Sequence, residues 1–120
     1  MGKRVLVVDD EEGIRLLYKE ELEEEGYDVE LASSGEEALK KLEGDHIDLV
    51  LLDIKMPGMD GIEVLRKVKE RWRKLPVILC TAFPHYKQDF GTWASDAYVV
   101  KSSDLRELKE KVKDILQKKL

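Results

Sequence analysis

Asp48-Leu49-Val50-Leu51-Leu52, followed at once by Asp53, sets four unbroken apolar residues between two carboxylates. A run without polar alternation marks a strand buried on both faces, and such a strand needs helices above and below it. Val5-Leu6-Val7-Val8 repeats the pattern and runs into Asp9-Asp10. Val77-Ile78-Leu79-Cys80 runs into Thr81, and Ala97-Tyr98-Val99-Val100 into Lys101. Asp28 to Ala32 reads as one more strand.

Amphipathic stretches separate these runs. Gly13 to Glu25 places Ile14, Leu17, Tyr18 and Leu22 on one helical face, and Gly26 follows as a helix-ending glycine. Ser34-Gly35-Glu36-Glu37 has the form of a capping box and opens a helix with Ala38, Leu39 and Leu42 inward. Asp53 to Asp60 is a loop around Pro57-Gly58. Gly61 to Trp72 is a helix with Ile62, Leu65, Val68 and Trp72 on one side. Residues 82–96 are the least regular, with Pro84 and Gly91 limiting any helix to about two turns around Tyr86 to Ala94. Ser103 or Asp104 can cap a last helix whose inner face is Leu105, Leu108, Val112, Ile115 and Leu116. Five strand–helix units in succession predict one α/β domain over residues 1–120, a parallel sheet covered on both faces.

The 120 residues are 42% apolar and 39% charged, enough apolar material for one packed core. No stretch approaches the ~20 apolar residues of a membrane span, and the N-terminus lacks the pattern of a secretory signal. Cys80 is the only cysteine, so no intrachain disulfide forms, and a reducing cytoplasm fits. The net charge of −5 argues against direct, non-specific nucleic-acid binding. It is unevenly spread: residues 1–60 carry −11 and residues 61–120 carry +6. There is no Asn and only two Gln, a composition that leans towards a thermophilic source.

In doubly wound sheets the site forms beyond the carboxyl ends of the strands. That rule brings Asp9, Asp10, Asp53, Thr81 and Lys101 to one edge. Crowded carboxylates repel unless a cation neutralises them, and all-oxygen donors on an open edge suit Mg²⁺. A carboxylate nucleophile, a hydroxyl donor and a fixed ammonium beside such an ion suit phosphoryl transfer onto a carboxylate.

Val7-Val8-Asp9-Asp10-Glu11, Leu51 to Gly61 (Leu-Leu-Asp-Ile-Lys-Met-Pro-Gly-Met-Asp-Gly), Thr81-Ala82 and Tyr98-Val99-Val100-Lys101 resemble the motifs of two-component response-regulator receiver domains. The resemblance spans essentially the whole chain and implies the flavodoxin-like fold: three α/β/α layers around five parallel strands in the order 2-1-3-4-5. It implies that Asp53 is the phosphoacceptor for a sensor histidine kinase. Asp10, Asp53 and the Lys55 carbonyl would hold Mg²⁺, with Asp9 acting through a metal-bound water. Thr81 would donate to a phosphoryl oxygen, Lys101 would pair with the phosphoryl group, and Thr81 and Tyr98 would form the conformational switch. Lys55 and Phe83 stand at the positions that tune dephosphorylation.

The chain departs from the family pattern at two places. Ser102 stands where proline usually follows the lysine through a cis bond. Either the Lys101–Ser102 bond is trans and the loop rearranges, or it is cis and strained. Ser95-Asp96 replaces glycine and a small residue, which, with Pro84 and Gly91, puts the fourth helix and its output surface in question.

Other residues read more plainly: Cys80 and Trp72 as packing, His46 and His85 as loop residues, Glu20 to Glu25 as a solvated face. Trp93 fits either core or an exposed contact. No DNA-binding or catalytic domain is expected after Leu120, so output is expected through protein contact or phosphorelay to a downstream protein. The single-domain layout resembles sporulation-phosphorelay and chemotaxis regulators. A phosphohydrolase is the alternative enzyme reading, but it wants an Asp-x-Asp pair and a cap, whereas Asp9 and Asp10 are adjacent. A phosphate-independent interaction module is the third reading.

Overall fold

Alternate residues of each buried strand must pack against opposite layers. On one side Leu6, Val8, Val50, Leu52, Val77 and Leu79 join Ala38, Leu42, Val64, Leu65 and Val68. On the other, Val5, Val7, Leu49, Leu51, Ile78, Cys80 and Val99 join Tyr18, Leu22, Leu108, Val112 and Leu116. The computed structural model that shows this describes residues 2–82, 96–102 and 104–118. The elements in chain order are β1 (Arg4–Val8), α1 (Glu12–Glu24), β2 (Asp28–Ala32), α2 (Gly35–Gly44), β3 (Leu49–Asp53), α3 (Gly61–Arg71), β4 (Val77–Thr81), β5 (Ala97–Val100) and α4 (Arg106–Lys118). The five strands are parallel, in the order β2-β1-β3-β4-β5, as expected. The expected helix around Tyr86 to Ala94, with His85, Trp93 and Phe83, lies outside the described residues, as do Ser95 and Ser103.

The register aligns the strand ends. Val8 pairs with Leu52, and Asp53 with Cys80, so Asp9 and Asp53 emerge side by side from β1 and β3. Thr81 pairs with Val100, so Lys101 leaves β5 beside it. Gly26 ends α1 at φ +97°, where only glycine is at ease.

The structure amends three local expectations. The buried stripe of α1 is Ile14, Tyr18 and Leu22, spaced by four, whereas Leu17 is 40% exposed. Leu17 sits about 100° round the helix from Tyr18, which carries it off the sheet. Ser34 does cap α2, accepting from the Glu37 N–H at 3.1 Å. Glu37 reaches one residue beyond the usual box partner, to the Ser33 N–H at 2.5 Å and hydroxyl at 3.0 Å. Asp96 has a structural role: its carboxylate accepts from the Val77 N–H at 2.8 Å and from Lys69 Nζ at 2.9 Å. It fastens the start of β5 to the start of β4 and to α3.

Candidate functional site

Each side chain of the site is placed by a strand end. Asp9 directly follows β1, is 2% exposed, and is held from several sides. Its Oδ1 accepts from the Glu11 N–H at 2.9 Å and its Oδ2 from Lys101 Nζ at 2.6 Å. Its own N–H donates to the Ala32 carbonyl at 3.1 Å. Asp10 follows in the exposed first turn before α1. Asp53 closes β3 and is 5% exposed. Oxygens of Asp9, Asp10 and Asp53 lie within 4.8 Å of one another. The Lys101 ammonium also stands 3.3 Å from Asp53 Oδ1.

Two buried carboxylates with one ammonium between them leave an unbalanced negative charge. The pKa of Asp53 is accordingly raised to about 6, first by burial and then by Asp9, with Asp10 adding to the effect and Lys101 opposing it. Burial pulls the Lys101 ammonium down, but the Asp9 hydrogen bond and the charges of Asp53 and Asp9 outweigh it and hold its pKa above the ordinary value. Lys101 therefore stays charged. A divalent cation would remove the remaining excess. Three carboxylates, one of them open to solvent, are the hard, oxygen-rich donors that Mg²⁺ prefers, so the residues fit that ion.

Thr81 ends β4, is wholly buried, and accepts the Lys101 N–H on its carbonyl at 2.7 Å. Lys55 lies two residues beyond Asp53 with its side chain exposed. Tyr98 sits inside β5 and packs against the core beneath α2 and α3. The structure thus gathers Asp9, Asp10, Asp53 and Lys101, sets Thr81 on the adjoining strand end, and leaves Tyr98 behind it. No cis peptide bond occurs among the described residues. The Lys101–Ser102 bond is trans, and Lys101 still reaches both carboxylates.

Two residues gain a role at the site that the sequence did not assign them. Gly61 opens α3 against the backbone after β3, and its N–H donates to the Ile54 carbonyl at 2.8 Å. A Cβ there would drive into the Asp53 carbonyl oxygen and lie 2.7 Å from Ile54 Cα. Only glycine lets the helix start press on the strand end that carries Asp53. Arg15 Nη1 donates to the Asp9 carbonyl at 2.7 Å. The available sequence signal was its place one turn after Glu11, on the helix that returns over β1.

Residues 5–113 match the response regulator receiver domain family. The chain is 42% identical over 120 residues to the alkaline phosphatase synthesis transcriptional regulatory protein PhoP of Bacillus subtilis, covering 98% of this chain and 50% of that protein. It is 37% identical over 118 residues to sporulation initiation phosphotransferase F of the same organism, covering 97% and 95%. The chain therefore spans about half the length of the first relative and nearly all of the second. Response regulator protein TrrA from Thermotoga maritima, solved in complex with Mg(2+)-BeF, superposes with a TM-score of 0.92 at 54% identity, covering 94% of this chain and 98% of TrrA. TrrA is also known in complex with the histidine kinase ThkA, with a TM-score of 0.90 over 95% of this chain and 98% of TrrA. The motifs at the strand ends, the strand order and these likenesses agree: the chain belongs to the response regulator receiver domain family.

Proposed function

We propose that this chain accepts a phosphoryl group from a sensor histidine kinase onto Asp53 in a Mg²⁺-dependent reaction. The observation that carries the reading is the convergence of Asp9, Asp10 and Asp53 within 4.8 Å, with the Lys101 ammonium 2.6 Å from one and 3.3 Å from another. An Asp53 carboxylate oxygen attacks the phosphorus of a phosphohistidine. The O–P bond forms, the N–P bond breaks, and the imidazole leaves with the electron pair. Asp10, Asp53 and the Lys55 carbonyl would hold Mg²⁺, with Asp9 acting through a water. The bound ion would neutralise phosphoryl oxygens as charge redistributes in the transition state. Thr81 donates its hydroxyl to one phosphoryl oxygen and Lys101 pairs with another.

Phosphorylation then biases a two-state switch formed by Thr81 and Tyr98, which changes affinity for a downstream protein. The TrrA–ThkA complex supports a sensor kinase as partner. The likeness to a sporulation phosphotransferase supports relay or protein contact as output. No helix among the described residues is long and apolar enough to cross a membrane, and a cytoplasmic setting suits a kinase partner. Incubation with Mg²⁺ and a small phosphodonor tests the assignment. Intact-protein mass spectrometry should find a single hydroxylamine-labile phosphoryl group, absent with EDTA and absent in Asp53→Asn. Labelling that survives in Asp53→Asn would defeat it.

A further inference from the structure

We propose that Arg15 is a positioning residue for the divalent-cation site and acts through the backbone of Asp9. The proposal rests on the Mg²⁺-dependent reading above and adds to it a residue from outside the acidic cluster. A peptide unit is planar, so the Asp9 carbonyl and the Asp10 N–H share one plane. Arg15 Nη1 holds that carbonyl at 2.7 Å. Fixing the plane fixes the direction in which Asp10 leaves the chain. Asp10 carries the only exposed carboxylate of the three. The Asp9 side chain is already fastened at both oxygens, by Glu11 and Lys101, and its N–H is fastened to Ala32. The Arg15 contact completes the set, so every polar atom of Asp9 is engaged.

Glu37, at the start of α2, lies near enough for its carboxylate and Arg15 to attract each other. The Glu37 pKa falls below the ordinary value, chiefly through the Ser33 N–H; burial opposes this, and the Ser33 hydroxyl, Lys41 and Arg15 add smaller lowering effects. Ser33 follows β2 directly, and the Glu37 bonds to its N–H and hydroxyl measure 2.5 and 3.0 Å. Beyond its bond to the Asp9 carbonyl, Arg15 feels the Glu37 carboxylate only as a nearby charge.

The direction of the effect separates positioning from simple charge. If Arg15 acted only as a nearby cation, removing it would tighten binding of a divalent ion. If it orients the Asp9–Asp10 peptide, removing it loosens binding. The test is calorimetric titration of the full chain with MgCl₂, for wild type, Arg15→Met and Arg15→Lys. Arg15→Met should weaken Mg²⁺ binding about 10-fold, the usual effect of losing a partner that orients a ligand. Arg15→Lys, which can still donate to the carbonyl, should recover most of that loss. Unchanged or tighter binding in Arg15→Met overturns the proposal, as does an equal loss in Arg15→Lys. Should Arg15→Met fail to fold, Arg15→Leu takes its place and should weaken binding by the same factor of about 10; no weakening there overturns the proposal too. A wild-type chain that takes up no Mg²⁺ refutes the underlying functional reading, whereas normal wild-type binding with an unaffected Arg15→Met refutes only the role of Arg15.

Discussion

Replacing Asp53 with Asn should stabilise the metal-free protein at neutral pH. Asp53 is 5% exposed and its pKa is raised from 3.8 to about 6, with burial and Asp9 as the leading causes. Between those two values the folded chain holds a proton that the unfolded chain has lost. The contribution of this group is therefore most favourable below about pH 4, declines as pH rises to about 6, and is flat above. At 1.36 kcal/mol per pH unit the interval is worth about 3 kcal/mol, with the attraction of Lys101 already included. The neutral amide removes that cost. In EDTA at pH 7.5, Asp53→Asn should gain about 2–3 kcal/mol in urea unfolding, or roughly 10 °C in Tm for a chain of this size. The difference should shrink towards zero near pH 4. Adding Mg²⁺ at 100 times its Kd should raise wild type by about 2.7 kcal/mol and leave the variant nearly unmoved. A variant no more stable than wild type at pH 7.5, or a gap that does not depend on pH, would refute the argument from burial and repulsion.

Three further outcomes follow from the geometry. Gly61→Ala should cost about 3 kcal/mol in urea unfolding, because its Cβ meets backbone of Asp53 and Ile54 rather than a yielding side chain, and phosphoryl uptake should fall with it. Asp96→Ala removes the carboxylate acceptor of the Val77 N–H and leaves Lys69 with the Leu75 carbonyl, and should cost about 1–2 kcal/mol, seen as a lower urea midpoint with labelling of Asp53 retained. Cys80 is buried and its thiol is pushed up to about 12, first by burial, so a thiol reagent at pH 8 should modify the native protein only as fast as it opens.

The sheet and the acidic cluster were legible because they rest on short-range patterns. A run such as Leu49 to Leu52 can satisfy only a strand with two covered faces, and a carboxylate at the end of each such run must reach the same rim. What escaped depends on partners distant in sequence. Leu17 fits the apolar stripe of α1 by spacing, yet the angle at which that helix lies on the sheet turns it outward. Asp96 reads as a misfit for a small residue until Lys69 and the Val77 N–H stand beside it. Gly61 reads as an ordinary helix-opening glycine, and its necessity shows only when the backbone of Asp53 lies against it. The trans bond at Lys101–Ser102 could not be read, since it depends on how the end of β5 is held, and the Lys101 N–H bond to Thr81 holds it.

The bond between Lys101 and Asp9 joins residues 92 positions apart. On the ribosome, the first strand and its pair of acids emerge long before the cation that balances them. Until the last strand slots against its neighbour, the nascent polypeptide carries a strongly acidic, uncompensated end. Completion of the sheet and neutralisation of the pocket are thus one event, and a chain cut short before residue 101 would forfeit both together.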